Sequence, residues 1–98
     1  LYSARHKIEN LVESSEKKDL YSVVGPVCET ADSFGSDFEV SANAGDYLVV
    51  YSAGAYGSSM GSNYNTRLKP AEILVDQKSH KVIRKAETFD DLIKEEEL

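Results

Sequence analysis

Residues 19–32, "DLYSVVGPVCETAD", decide how this chain is read. Leu20, Tyr21, Val23 and Val24 between Asp19 and Gly25 have a β-strand composition. Gly25-Pro26 ends the run, because proline cannot donate to a ladder and the pair marks a turn. Beyond it stands Cys28, the only cysteine of the chain, with Glu29 beside it and Asp32 further on. A strand that hands over to a loop bearing a thiol and two carboxylates raises a question of chemistry as well as of fold.

The same strand signature recurs on either side. "DYLVVYSA" (46–53) follows a Gly-Asp turn entry and is the strongest apolar run. "AEILVD" (71–76) and "KVIRKAE" (81–87) flank "QKSH", a hairpin connection. "ARHKIENLV" (4–12) fits a helical face through Ala4, Ile8, Leu11 and Val12, and also a strand around Ile8. "ESSEKKD" (13–19) is a solvated connection. At the far end, "ETFDDLIKEEEL" reads as a helix with Thr88 as N-cap and Asp91 as its capping partner. Its acidic end opposes the macrodipole and should fray. These strands are too many and too short for βαβ units, so the expected fold is mainly β with a short C-terminal helix.

Composition narrows the function classes. The 98 residues suit one domain, with 41% hydrophobic and 29% charged residues, which is ordinary globular chemistry. A net charge of −6 leaves no basic surface for nucleic acid or anionic membrane. One cysteine excludes an internal disulfide framework and fits a reducing, cytoplasmic setting. No run approaches the roughly 20 apolar residues of a membrane span. The chain starts at Leu1 rather than methionine, which suggests a piece of something longer.

Two stretches carry candidate chemistry, and each has a bland alternative. A lone cysteine such as Cys28 is most often a small buried hydrophobe. As a functional group it is a thiol able to act as a general acid near neutrality. The adjacent carboxylate favours the protonated form, which suits a proton donor better than a nucleophile. No histidine flanks it, and one cysteine with His6 and His80 makes no metal site. The second stretch is "SAGAYGSSMGSNYN" (52–65). Its glycines and serines could offer backbone N–H groups to a phosphate, although it is neither a Walker loop nor a dinucleotide fingerprint. The plain reading is a flexible loop. Tyr56 and Tyr64 within it are large, amphipathic and able to hydrogen-bond a ligand. Tyr2, near the start, is unremarkable by itself.

Taken in order and spacing, "LYSARH", "VVGPVCETAD", "GDYLVVYSAGAYGSSMGSNYN" and "RLKPAEILVD" resemble the C-terminal part of the diaminopimelate decarboxylase family. These are pyridoxal-phosphate enzymes of lysine biosynthesis, related to ornithine and arginine decarboxylases and sharing a fold with alanine racemase. The resemblance implies a C-terminal β-sandwich or barrel-like domain over residues 1–98. It also implies that the (β/α)8 barrel with its Schiff-base lysine lies outside this chain. The family's head-to-tail homodimer implies active sites at the subunit interface, and an inactive isolated chain. On this resemblance Cys28 is the proton donor after decarboxylation and Glu29 binds the distal ammonium of meso-2,6-diaminopimelate. Tyr56 lies near the cofactor phosphate and the substrate, and Tyr2 helps hold the substrate carboxylate. Asp32 matches an acidic position that pairs with a lysine of the partner barrel in related decarboxylases. The family usually has glycine where this chain has Ala31, whose Cβ disfavours a positive φ. The resemblance also favours the strand reading around Ile8. The alternatives are the same fold acting on ornithine, arginine or a carboxylated polyamine, and a non-catalytic dimerisation or binding module. Glu29 and "SNYN" lean toward diaminopimelate.

Overall fold

The computed structural model describes residues 5–12 and 17–96. Their element order is β1 (Ile8–Asn10), β2 (Asp19–Val24), β3 (Ser33–Val40), β4 (Leu48–Val50), α1 (Gly54–Met60), a single 3-10 turn (Tyr64–Thr66), β5 (Glu72–Asp76), β6 (Ser79–Arg84) and α2 (Phe89–Ile93). The strands pair as three two-stranded antiparallel sheets, β1–β4, β2–β3 and β5–β6. The fold is therefore mainly β with short helices, as expected. The chain divides into two compact units, Leu1–Ser59 and Met60–Leu98.

In the first unit the core is built by alternation. Phe38 and Val40 sit two residues apart on β3, so both point to one face. Ile8 of β1 joins them, and these three side chains are buried. Val23, Ala42 and Val50 pack against the cluster. Each strand thus contributes to the same small apolar centre. The strand reading of the segment around Ile8 holds, with Ile8 paired to Val50 and Asn10 to Leu48. The strand in "DYLVVYSA" is shorter than its composition suggested and covers Leu48–Val50 alone.

β3 was not legible as a strand. Its sequence, "SFGSDFEV", carries Gly35 at φ 120 and Asp37 at φ 61. The β2–β3 register slips twice, between Tyr21 and Val23 and between Val23 and Val24. Both slips place the extra residue on β3, which bends the strand and increases its twist. The Arg5 guanidinium satisfies the carbonyls exposed there, donating to Ser36 O and Asp37 O, each at 3.0 Å. The same group lies 4.0 Å from the centre of the Phe38 ring, a cation–π stack that roofs the core.

Asn10 ties the ends of this unit together. Its side-chain amide donates to Ser41 O at 2.8 Å and to the Asp46 carboxylate at 2.9 Å. Asp46 also accepts from the Asn43 backbone N–H. That amide, with Asn10 second, holds the Asp46 carboxyl below its ordinary titration range.

In the second unit β5 and β6 form a hairpin in which Asp76 pairs with Ser79. The connection is therefore the two residues Gln77 and Lys78, tighter than "QKSH", with Gln77 at φ 49 as such turns require. Glu87 organises the approach to α2. Its carboxylate accepts from Lys69 N–H at 2.6 Å and from the Asn63 amide at 2.7 Å. α2 begins with the expected capping box: Thr88 Oγ accepts from Asp91 N–H and the Asp91 carboxylate accepts from Thr88 N–H. Glu97 and Leu98, at the acidic end expected to fray, lie outside the described residues. Among the described residues no helix is long and apolar enough to cross a membrane.

Candidate functional site

The connection between β2 and β3 is a short loop closed by its own backbone. Gly25 N–H donates to Asp32 O at 2.9 Å, Glu29 N–H to Val27 O at 2.9 Å, and Asp32 N–H to Glu29 O at 3.0 Å. Pro26 has no N–H to satisfy. The Val27 N–H donates to the Asp32 carboxylate at 2.8 Å. The loop is thus tied at both ends and braced through its middle by one side chain.

Burial follows from that bracing. Gly25, Val27 and Asp32 are half-buried on the inner side of the loop, while Cys28, Glu29, Thr30 and Ala31 are exposed on its crest. The cysteine is exposed. The plain reading of Cys28 as a buried hydrophobe therefore does not hold. The thiol and the carboxylate thus stand side by side, exposed on a hydrogen-bonded turn. Ala31 is not among the residues with positive φ, so its methyl group costs the turn nothing.

Tyr56 sits on a different element. "GAYGSSM" forms α1 where the composition suggested a flexible loop, with Gly57 N–H donating to Ala53 O. Tyr56 is 53% exposed on that helix. A Cβ placed on Gly54 or Gly57 would meet nothing within 4 Å, so neither glycine is demanded by the packing of this chain. They leave the helix surface beside Tyr56 open to close approach. Tyr64, the other tyrosine of the stretch, lies in the 3-10 turn and is 56% exposed. Tyr2 lies outside the described residues. Among the described residues no three histidine, cysteine or carboxylate side chains are grouped to hold a metal ion.

One cluster escaped the sequence reading. Tyr51 Oη donates to Glu9 at 3.0 Å, and Lys7 Nζ lies 3.0 Å from the same carboxylate. Lys7 first, then Tyr51, holds the Glu9 carboxyl below its ordinary range, and Glu9 raises the Tyr51 phenol. These groups are solvated and lie across the β1–β4 pairing, so they serve strand registration. Nothing in their spacing along the chain, 42 residues between Glu9 and Tyr51, could have revealed them.

Residues 1–54 match the family model described as the pyridoxal-dependent decarboxylase C-terminal sheet domain. The chain belongs to this family. Among curated relatives, diaminopimelate decarboxylase of Haemophilus influenzae is 48% identical over 93 residues, covering 94% of this chain and 22% of the relative. The enzyme of the same name from Methanocaldococcus jannaschii is 42% identical over 94 residues, covering 95% of this chain and 21% of the relative. The crystal structure of the M. jannaschii enzyme in complex with L-lysine superposes with a TM-score of 0.89 at 39% identity, over 99% of this chain and 22% of that one. The Helicobacter pylori enzyme complexed with L-lysine gives 0.84 at 41% identity, over 97% of this chain and 24% of that one. The chain spans about a fifth of the length of the relatives it matches.

Proposed function

We propose that this chain is the C-terminal sheet domain of a cytoplasmic diaminopimelate decarboxylase, which converts meso-2,6-diaminopimelate to L-lysine and CO2. The observation that carries the reading is the exposed Cys28–Glu29 pair on a braced turn, in a chain whose matched relatives bear that enzyme's name. A pure scaffold has no need of a thiol and a carboxylate held out in this way.

Pyridoxal phosphate, when bound, supplies the electron sink that allows a carboxylate to leave an amino acid as CO2. The lysine that would attach it lies outside these residues. This chain's own groups have narrower tasks. Tyr56, exposed on α1, would contact the phosphate or the substrate. The Cys28 Sγ–H delivers a proton to the carbon that has lost CO2, a step that needs a positioned neutral donor. Glu29 pairs with the distal ammonium of the substrate in a charge-assisted contact, and a site fitted to a distal end bearing both ammonium and carboxylate rejects substrates that lack that pair. Tyr2 is assigned to the substrate carboxylate on the family resemblance. On the family resemblance, the working enzyme is a homodimer with the site shared between subunits, and the 98 residues, which on the same resemblance lack the Schiff-base lysine, are inactive alone.

The test is CO2 release by the complete protein from meso-diaminopimelate, ornithine and arginine with added pyridoxal phosphate. Selective decarboxylation of diaminopimelate is expected. Activity confined to ornithine or arginine overturns the role given to Glu29, and activity on none of them moves the chain to a binding or dimerisation module.

A further inference from the structure

The loop that presents Cys28 and Glu29 is braced by a side chain to which the reading above gives no task within its own subunit. We propose that Asp32 is a positioning residue, which holds the Cys28–Glu29 turn through its carboxylate, and that Gly25 is glycine in order to leave room for that carboxylate. The proposal rests on the decarboxylase reading of Cys28 and Glu29.

The geometry is specific. The Asp32 carboxylate accepts from the N–H of Val27 at 2.8 Å, the residue immediately before Cys28. The Asp32 backbone closes the same loop twice, through its O to Gly25 and through its N–H to Glu29. A carboxylate accepting a backbone N–H makes a charge-assisted bond, stronger than a neutral one. The contact is half-buried, so water competes for it less than at an open surface. Val27 has little alternative: with Pro26 before it and a tight turn after it, its N–H faces the loop interior.

Gly25 completes the device. Its φ is not in the left-handed region, so backbone conformation does not demand glycine. Space does. A Cβ on Gly25 would fall well under 3.0 Å from both Asp32 carboxylate oxygens and from its Cγ. That carboxyl group is held by its bond to Val27 and by a backbone anchored at both ends, so it cannot step aside without releasing the turn. Glycine at 25 and aspartate at 32 therefore form one unit, in which the first clears the seat that the second fills.

A different role for Asp32, as a charge facing a lysine of another subunit, makes opposite demands. A charge partner needs the negative charge; a brace needs only an acceptor oxygen at that place. Asparagine has the second without the first. In the complete enzyme, Asp32→Ala is expected to lower kcat on diaminopimelate about tenfold or more while the complete dimer persists, because the thiol is no longer held where the proton is needed. Asp32→Asn is expected to stay within about threefold of the parent, as a neutral acceptor replaces a charged one. Gly25→Ala should match Asp32→Ala. In the Asp32→Ala background, Gly25→Ala should add almost nothing, because the seat is already empty.

Backbone amide exchange of Val27 in the full-length protein gives a readout independent of activity. It should quicken about tenfold or more in Asp32→Ala and Gly25→Ala and stay near the parent in Asp32→Asn. If Asp32→Asn fails as badly as Asp32→Ala in both kinetics and exchange, the brace is overturned. If Gly25→Ala costs the same with and without Asp32, the steric pairing is overturned. If the parent protein decarboxylates nothing while Val27 exchange follows the expected order, the brace stands and the decarboxylase reading falls.

Discussion

Phe38→Ala tests whether β3 carries the core of the first unit. Phe38 is 5% exposed, and with Ile8 and Val40 it makes up the buried cluster. An aromatic side chain of this kind withdraws about 150–250 Å2 from water. At about 25 cal/mol per Å2 this is about 4–6 kcal/mol, of which alanine keeps a part. The remaining loss, with a cavity that a cluster this small can only partly close, is about 3–5 kcal/mol. The Arg5 guanidinium over the ring adds a coupling of about 0.5–1 kcal/mol. Arg5→Ala should therefore cost less in the Phe38→Ala background than in the parent by that amount, while its bonds to Ser36 and Asp37 contribute in both. Urea-dependent amide exchange of the full-length protein, read at the paired residues of β2 and β3, measures both quantities at the place concerned. A Phe38→Ala cost below about 1 kcal/mol, outside the range for a buried aromatic, would refute the argument. The β2–β3 ribbon would then be held by something other than this cluster.

Three further outcomes are expected. Gly35→Ala should destabilise the same ribbon by about 1–3 kcal/mol through backbone strain alone, because its Cβ would meet Phe38 and Arg5 only at ordinary contact distances of 3.5–3.8 Å; exchange at Val23, its partner in the ladder, reads the loss. Glu87 is held below its ordinary value of 4.5 chiefly by the Lys69 N–H. A depressed carboxylate adds stability that is complete above the unfolded pKa and is lost as pH falls through the folded one, so the second unit should weaken below pH 4.5; Glu87→Gln should reduce that pH dependence in an NMR titration, leaving the share of Asp91, which the Thr88 N–H also holds below its ordinary range. In the complete enzyme Cys28→Ala should lower kcat more than it raises KM, whereas Glu29→Ala should raise KM for diaminopimelate and relax selectivity against ornithine, as steady-state kinetics on both substrates will show.

Much of this molecule could be read from local chemistry. Thr88 and Asp91 form their capping box because the bonds involved lie within one turn. β2, β5 and β6 declare themselves through runs of Val, Ile, Leu and Tyr, and the exposed turn after Gly25-Pro26 follows from residues that cannot extend a ladder. Even the family was legible, since its motifs are contiguous strings of residues.

Other features depend on partners distant in the chain. "SFGSDFEV" contains Gly35 and Asp37 where a strand should alternate, and it becomes β3 only because β2 pairs with it and Arg5, about thirty residues away, satisfies its bulged carbonyls. "GAYGSSM" is poor helix sequence, and its composition conceals α1. Asp32 shows the division most clearly. Its position and charge can be read along the chain beside Cys28. That its carboxylate turns inward to the Val27 amide, in a space only glycine at 25 leaves open, is a matter of three-dimensional volume, and it is decided where the strands fold back on themselves.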